Sequence, residues 1–245
     1  MDRAQQPRQP MGGRAWELLE RIDYRLAETS QDKDQIYRLR YRAYLGENTI
    51  FPNAARKISD RFDDMPNSWT FGVYFDDALV SSVRISVSSP EHPETPSTEV
   101  FPDLLAQAIA ARKVMVDPTR FVAEPEGGLR FPELPYLTLR LAYVACSYFN
   151  ADLGLASVRA EHRAFYRRVF LHEPLGTPRV YPGLTKPICL MAVDYPRMRE
   201  KVFHRYPVFR SSHFERRMLF ERRAGRTTLA GSVDVRVTRA TAALL

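Results

Sequence analysis

Two alternating stretches joined by a two-residue turn place the strongest constraint on how this chain folds. Apolar residues occupy every second position across Trp69–Phe75 and, except for Ser81, again across Leu79–Val87. This period of two is typical of β-strands, and the Asp76-Asp77 pair between the stretches is a turn signal. The pattern predicts an antiparallel β-hairpin.

The segments around this hairpin alternate between strand and helix patterns. A strand at residues 22–28 and a helix at residues 31–45 precede it, and Ser30 offers the helix an N-cap. The segments predicted after it are a helix at 101–112, a strand at 114–123, a buried helix beginning at Pro135, a strand at 155–160, a helix at 161–170, and strands at 179–181 and 188–195. A hairpin that leads into strand–helix crossovers predicts an α/β fold (α+β) with a mixed central sheet flanked by helices.

A proline interrupts the strand predicted at residues 114–123. Pro118 has no N–H to donate to a ladder, and a central strand rarely carries proline unless the ladder is broken there. We therefore expect a bulge or a splay at Asp117-Pro118. A splayed strand exposes unpaired backbone N–H groups, which can stabilise an oxyanion.

The length of 245 residues and the 44% content of apolar residues fit one large domain with appendages. We expect a disordered basic leader at 1–19, the folded domain at 20–210 and a basic extension at 211–245. No apolar run is long enough to cross a bilayer, and the leader does not resemble a secretory signal. Cys146 and Cys189 are interpreted as buried thiols in a reducing compartment, which predicts a cytoplasmic protein without a metal site.

A formal net charge of +7 leaves three classes of partner open, namely nucleic acid, an anionic membrane surface and an acidic protein. The basic residues are spread along the chain, and no nucleic-acid-binding motif is present. Nucleic acid is therefore the least favoured partner and is not predicted. A weak association with a membrane surface stays open, as does the oligomeric state.

Several motifs resemble those of acyl-homoserine-lactone synthases in their order and spacing. These motifs are Arg40-x-x-x-Tyr44, Asp60-x-x-Asp63, Arg84 on the hairpin, and Asp117-x-x-Arg120-Phe121 on the interrupted strand. A closer similarity is to the long-chain N-acyl amino acid synthases of the FeeM type in the GNAT superfamily. The segments that carry it are Leu39–Tyr44, Asn67–Tyr74, Pro132–Leu141 and Tyr181–Pro187.

The resemblance implies a GNAT-type fold and an N-acyltransferase. The expected reaction moves a long-chain fatty acyl group from the phosphopantetheine of an acyl carrier protein to the α-amino group of an amino acid. No permanently bound cofactor is expected, and acyl-CoA is an alternative co-substrate. The glycine-rich loop that binds the CoA pyrophosphate in acetyl-CoA-dependent GNAT enzymes is absent, which favours the carrier protein. Such carriers are acidic, which suits a basic enzyme.

Other functions stay open beside this one. A signal synthase of the acyl-homoserine-lactone type and an acyl-CoA-dependent GNAT acyltransferase are related alternatives. A non-catalytic module that uses its basic surface to bind is a third.

The same resemblance implies a set of site residues. Asp117, Arg120 and Tyr166 are the expected catalytic residues, with Asp117 as base or amine anchor and Tyr166 as the acid that protonates the leaving thiolate. The expected substrate-binding residues are Arg84, Asp60, Asp63, Arg40, Tyr44, Thr119 and His162.

Two alternatives remain within this set. Arg84 and Arg120 either bind a substrate carboxylate or pair with Asp60 and Asp63. His162 is a second candidate base, ranked below Asp117.

Overall fold

The computed structural model describes residues 11–124 and 131–222 and shows a seven-stranded mixed sheet. Its strands are β1 (Ile22–Leu26), β2 (Ser68–Phe75), β3 (Ala78–Ser88), β4 (Met115–Ala123), β5 (Leu153–Val158), β6 (Glu173–Arg179) and β7 (Ile188–Asp194). The order across the sheet is β1-β2-β3-β4-β5-β7-β6, and β4 and β5 are parallel whereas the other neighbours are antiparallel. The predicted hairpin is confirmed as β2 and β3, and the mixed sheet as the fold class.

Helices flank this sheet. They are α1 (Met11–Leu19), α2 (Ser30–Gly46), α3 (Pro96–Val100), α4 (Pro102–Ala110), α5 (Leu134–Tyr148), α6 (Arg163–Phe170), α7 (Tyr195–Arg205) and α8 (His213–Phe220). Short 3-10 helices lie at Arg61–Asp64, Ala160–His162 and Pro207–Phe209.

The helix predicted at 31–45 is confirmed as α2, but its N-cap is Thr29 rather than Ser30. The Thr29 hydroxyl accepts a hydrogen bond from the backbone N–H of Asp32, and the Asp32 carboxylate accepts one from the backbone N–H of Thr29. This reciprocal pair satisfies two N–H groups that a helix start leaves free. Thr29 is the cap rather than Ser30 because Asp32, three positions after Thr29, completes this capping box.

The two faces of the sheet bury different clusters because successive strand residues point to opposite sides. On one face α5, which is buried almost all round, packs against β3, β4 and β5 within the large aromatic-rich core. On the other face Met115 and Leu155 pack in a smaller cluster with Phe101, the N-cap of α4, and with Leu105 of α4. Asp117 follows Met115 by two positions and therefore faces the α3 and α4 side.

The predicted opening of the sheet lies between β4 and β5. Their parallel pairing is limited to Met115 with Leu153 and Val116 with Gly154, so the two strands separate from residue 117 onward. On its other edge β4 stays paired with β3 past Pro118. The splay is therefore confirmed at Asp117-Pro118, where the proline N atom has no hydrogen to offer.

The bulge of β4 lies two residues further along than the splay. Thr119 pairs with Arg84 and Val122 pairs with Ser82, so Val83 alone faces two residues of β4. Arg120, one of these two, has a φ of 55°. A bulge that contains a left-handed residue re-aims the side chain at that position.

The structure differs from the predicted domain boundaries at both ends. Residues 11–19 of the expected disordered leader form α1, which places Ala15 and Leu18 in the main core. The expected C-terminal extension contains α8, whose Phe220 is buried against Phe71. Both helices have an apolar side that the sequence analysis overlooked because basic and polar residues surround it. The predictions for residues 1–10 and 223–245 lie outside the described residues.

Cys146 and Cys189 are buried free thiols, as expected. Within 11–124 and 131–222, no helix has the length and apolar character to cross a bilayer.

Candidate active site

A cavity of about 550 Å³ occupies the opening between β4 and β5. One wall is β4 from Pro118 to Glu124, and the opposite wall is the end of β5 and the start of α6. The C-terminal half of α2 and the segment before β7 close the remaining sides. The other lining residues are Ala43, Tyr44, Glu47, Thr49, Pro135, Ser157, Val158, Arg159, His162, Phe165, Tyr166, Leu184 and Ile188.

Asp60 joins two arginines of the predicted site. Its carboxylate accepts a hydrogen bond from Arg84 at 3.3 Å and one from Arg120 at 2.6 Å, and Arg84 also donates to the Thr119 hydroxyl at 3.1 Å. Asp60 is held in place as the N-cap of the 3-10 helix at Arg61–Asp64. Arg84 and Arg120 therefore both form ion pairs with Asp60 in the structure.

Asp63 and Arg40 form the buried inner part of the same cluster. The Asp63 carboxylate accepts from Arg40 at 2.8 Å and lies 3.2 Å from Arg84. Three guanidinium groups and two carboxylates therefore share this region, so the cluster carries an excess positive charge. Among the described residues, the Nε and one terminal nitrogen of Arg40 find no hydrogen-bond partner.

The arginines keep both aspartates ionised. Burial by itself raises the pKa of Asp60, but the hydrogen bond and charge of Arg84 and the charge of Arg120 outweigh it and hold that pKa well below its usual range. The pKa of Asp63 is lowered in the same way, because the charges of Arg40 and Arg84 outweigh its burial.

Arg120 connects this cluster to the cavity. Its side chain is 9% exposed and lies on the cavity lining, where the guanidinium stands 5.8 Å from the Tyr44 ring and 5.5 Å from the Tyr181 ring. The bulge at Arg120 directs the side chain between these rings. Tyr44 and Thr119 also line the cavity, as predicted for substrate-binding residues, whereas Arg40, Arg84, Asp60 and Asp63 lie behind its wall.

Tyr166 lies on α6 where this helix borders the cavity. Burial raises the pKa of its phenol well above the ordinary value, so the group stays protonated at neutral pH. The helix ends at Phe170, and Leu171 at its C-cap has a left-handed φ of 58°.

Asp117 is placed differently from the expectation of a base in direct contact with the substrate. It is fully buried and does not line the cavity. Its carboxylate accepts hydrogen bonds from the Ser97 backbone N–H at 2.8 Å and from the Ser97 hydroxyl at 2.7 Å. Because Asp117 accepts hydrogen bonds from Ser97, it anchors the first turn of α3.

Ser157 and Arg159 are site residues that the sequence analysis missed. Ser157 lies on β5, lines the cavity, and its hydroxyl is 2.7 Å from that of Ser97. Arg159 follows β5 and pairs with Glu47 at 2.7 Å across the cavity rim. The sequence contained a signal for them, because the predicted strand ends near residue 160. Residues at the end of a strand beside a splay face the opening of the sheet.

His162 lies on the exposed rim of the cavity, 2.7 Å from Arg159. Partial burial and the charge of Arg159 lower its pKa below the ordinary histidine value. The ring is therefore mostly neutral at pH 7 and can accept a proton.

Large aromatic side chains divide between the core and the cavity lining. Trp69, Phe71 and Phe149 pack around Phe220 in the core, whereas Phe165 lines the cavity. A separate apolar void of about 20 Å³ lies deeper between β4 and β5 and shares Pro118 and Tyr166 with the cavity.

Comparison with known families decides what this arrangement belongs to. The profile of the family described as "N-acyl amino acid synthase FeeM" matches residues 35–194, which is more than half of the chain. The chain belongs to the FeeM family. No curated protein matches it. Family membership makes the protein an acyltransferase, as the sequence predicted.

Solved structures share the fold of this FeeM-family protein. FeeM, an N-acyl amino acid synthase from uncultured soil microbes, aligns with a TM-score of 0.61 at 17% identity, over 76% of this chain and 97% of the other. BjaI, described as a CoA-dependent acyl-homoserine lactone synthase, aligns with a TM-score of 0.55 at 16% identity, over 78% and 90%. The acyl-homoserine-lactone synthase LasI aligns with a TM-score of 0.53 at 13% identity, over 70% and 89%.

Within the described ranges, no group of three or more His, Cys, Asp or Glu side chains is arranged to hold a metal ion.

Proposed function

We propose that this protein transfers a long-chain fatty acyl group from the phosphopantetheine of an acyl carrier protein to the α-amino group of an amino acid. The observation that carries this proposal is the cavity in the open sheet, which brings Arg120 and Tyr166 to one space in a member of the FeeM family. Its volume of about 550 Å³ lies within the range of roughly 300–1,000 Å³ that is typical of small-molecule sites.

The acceptor amino acid binds through its carboxylate at Arg120. The buried cluster behind this residue has three arginines and two aspartates, so an additional anion offsets its excess charge. Arg120 is the member of the cluster that borders the cavity, and a guanidinium binds a carboxylate well. Tyr44 stands over the same guanidinium and confines the acceptor beside it.

The reaction is attack of the neutral amine on the thioester carbonyl. The amine nitrogen forms a bond to the carbonyl carbon, the intermediate loses a proton from nitrogen, and the carbon–sulfur bond then breaks. Backbone N–H groups of β4 beyond Pro118 are not paired with β5 and serve the oxyanion. The protonated phenol of Tyr166 donates its proton to the leaving thiolate, and the resulting phenolate regains a proton from water in the open cavity.

An acyl carrier protein suits the basic side of the cavity rim. Arg42 on α2 pairs with Glu124 of the cavity wall, and Arg38 lies one turn before it on the exposed surface of the same helix. A carrier delivers pantetheine without the CoA diphosphate, so it needs no pyrophosphate loop. The two buried free thiols fit a cytoplasmic location for this reaction.

An acyl-CoA donor, with homoserine-lactone-type signal synthesis, is the second candidate function. The structural similarity to BjaI, described as CoA-dependent, favours testing it.

Purified protein supplied with amino acids and either a long-chain acyl carrier protein or the matching acyl-CoA separates the two donors. We expect N-acyl amino acids by mass spectrometry with the carrier, and a lower kcat/KM with CoA. Lipid extracts of a host that expresses the protein should contain the same products. If both donors give no acylated amine, the proposed function is wrong.

A further inference from the structure

A continuous chain of hydrogen bonds joins the buried carboxylate of Asp117 to the cavity. The Ser97 hydroxyl donates to Asp117 at 2.7 Å, and the hydroxyl oxygens of Ser97 and Ser157 are 2.7 Å apart. Ser157 borders the cavity, whereas Asp117 and Ser97 are completely buried. The three groups come from β4, α3 and β5, so the fold assembles the chain across the splayed strands.

The directions of these bonds follow from the acceptor at the buried end. An ionised Asp117 only accepts, so the Ser97 hydroxyl hydrogen points to it. The Ser97 oxygen then accepts the hydrogen of Ser157. In this arrangement the Ser157 oxygen uses its own hydrogen toward Ser97 and can still accept a proton, and Ser157 borders the cavity.

We propose that Ser157 and Ser97 relay the amine proton from the cavity to Asp117, which is the base of the reaction without touching the substrate. The inference rests on the proposed acyl transfer to an amine. Ser157 is then a catalytic residue, and Ser97 and Asp117 act through it.

Three proton transfers take place together along this chain, and each serine gives up one hydrogen and gains another. The nitrogen of the tetrahedral intermediate gives its proton to the Ser157 oxygen, and the Ser157 hydrogen passes to the Ser97 oxygen. The Ser97 hydrogen passes to Asp117, which becomes a carboxylic acid. After the product leaves, the same chain runs in reverse and returns the proton to water in the open cavity.

The surroundings of Asp117 suit a group that exchanges a proton. Burial raises its pKa, against the opposing hydrogen bonds of Ser97 and Thr95 on the α3 side and the charge of Arg84 on β3. Tyr181, from the segment before β7, is a further titratable group that interacts electrostatically with the Asp117 carboxylate. A raised pKa brings a carboxylate closer to the pH at which an amine proton is accepted efficiently.

Removing the Ser157 hydroxyl tests the relay while leaving the bonds between Ser97 and Asp117 intact. We expect Ser157→Ala to lower kcat by about 10²-fold with little change in KM for the amino acid. The conservative Ser157→Thr should restore most of the rate because it keeps a hydroxyl. The wild-type rate should fall as the pH drops through the pKa of Asp117, and this acid limb should be missing from Ser157→Ala.

A double-mutant cycle distinguishes a relay from a merely structural role of these residues, because it tests whether their effects on the rate are additive. Asp117→Asn and Ser157→Ala should each lose activity, and the double variant should be no slower than the slower single variant, because both break one path. If Asp117→Asn fails to fold, the comparison of Ser157→Ala with Ser157→Thr decides alone.

The failures of the two proposals are distinct. An active wild type whose kcat and pH profile are unchanged in Ser157→Ala overturns the relay and leaves the acyl transfer standing. Loss of the acid limb in His162→Gln instead assigns the base to His162 and also overturns the relay. A wild type that acylates no amine from either donor overturns the proposed function and the relay with it.

Discussion

Asp60 is the residue on which the charged cluster depends, because it holds Arg84 and Arg120 together. Asp60→Asn removes the nearer carboxylate from the fully buried guanidinium of Arg84, which keeps the more distant Asp63 as its charged partner. We expect the free energy of unfolding to fall by about 3 kcal/mol, measured by denaturant titration at pH 7. Asp64→Asn is the matched control, since the exposed Asp64 pairs with Lys33 and its loss should cost under about 1 kcal/mol.

The lowered pKa of Asp60 predicts that the free energy of unfolding decreases at acidic pH. The pKa of Asp60 is lower in the folded protein than the ordinary aspartate value of about 4, so its ionised form favours folding. Its contribution is complete above the ordinary pKa and is lost as the pH falls from there toward the folded pKa. The gap between wild type and Asp60→Asn should therefore narrow below about pH 4, and a constant gap would contradict the assignment.

Tyr166 is the residue to which the proposed function assigns protonation of the leaving thiolate. Tyr166→Phe removes the proton but keeps the ring that fills the cavity wall. We expect kcat to fall by roughly 10²-fold with KM nearly unchanged, measured in steady state with the preferred acyl donor. Tyr148→Phe, which alters a core tyrosine away from the cavity, should keep the wild-type rate. An unchanged kcat in Tyr166→Phe would remove this role.

At the scale of elements, the start of α2 offers a direct comparison between the predicted cap and the observed one. Thr29→Ala removes the hydroxyl that accepts the Asp32 N–H, and we expect a loss of about 1 kcal/mol in unfolding free energy. Ser30→Ala, at the first helical position, should change it much less. Equal effects of the two variants would contradict the assigned cap.

The strand β4 shows how one element combines two irregularities with separate effects. The splay at Pro118 opens the sheet toward β5, and the bulge at Arg120 turns a guanidinium into the opening. The first follows from a missing backbone donor, and the second from pairing with β3. The single strand β4 therefore both opens the cavity, through its splay, and places the Arg120 charge in it, through its bulge.

At the scale of the whole molecule, the net charge of +7 bears on how the proposed acidic carrier protein would find the cavity. Reversing Arg38 and Arg42 to Glu should lower the association rate constant for the acyl carrier and weaken its dependence on salt, because rim charges mainly steer encounter. Stopped-flow binding over a range of ionic strength measures both quantities.

Arg199→Glu is the control for this charge reversal, because this exposed residue lies on α7, which does not line the cavity. We expect it to leave the association rate constant near that of the wild type. If the Arg38 and Arg42 reversal behaves in the same way, α2 is not part of the carrier surface.

The sequence by itself determined the features that depend on neighbouring residues. The period-two alternation predicts β2 and β3, the helical spacing predicts α2 and α6, and the chemistry of Pro118 predicts where the sheet opens. The family resemblance also names Tyr44, Arg120 and Tyr166 as candidate site residues, and all three line one cavity in the structure. These signals are local because propensity and periodicity act within one segment.

Only the tertiary structure decided which distant groups meet. Asp117 and Ser97 are 20 positions apart, and Ser97 and Ser157 are 60 apart, so no pattern within a segment brings them together. The choice of Asp60 as the partner of Arg84 and Arg120 likewise depends on how the 3-10 helix packs against the hairpin. Side-chain contacts across elements are determined by packing and burial in three dimensions, and therefore the site is known only once the sheet is assembled.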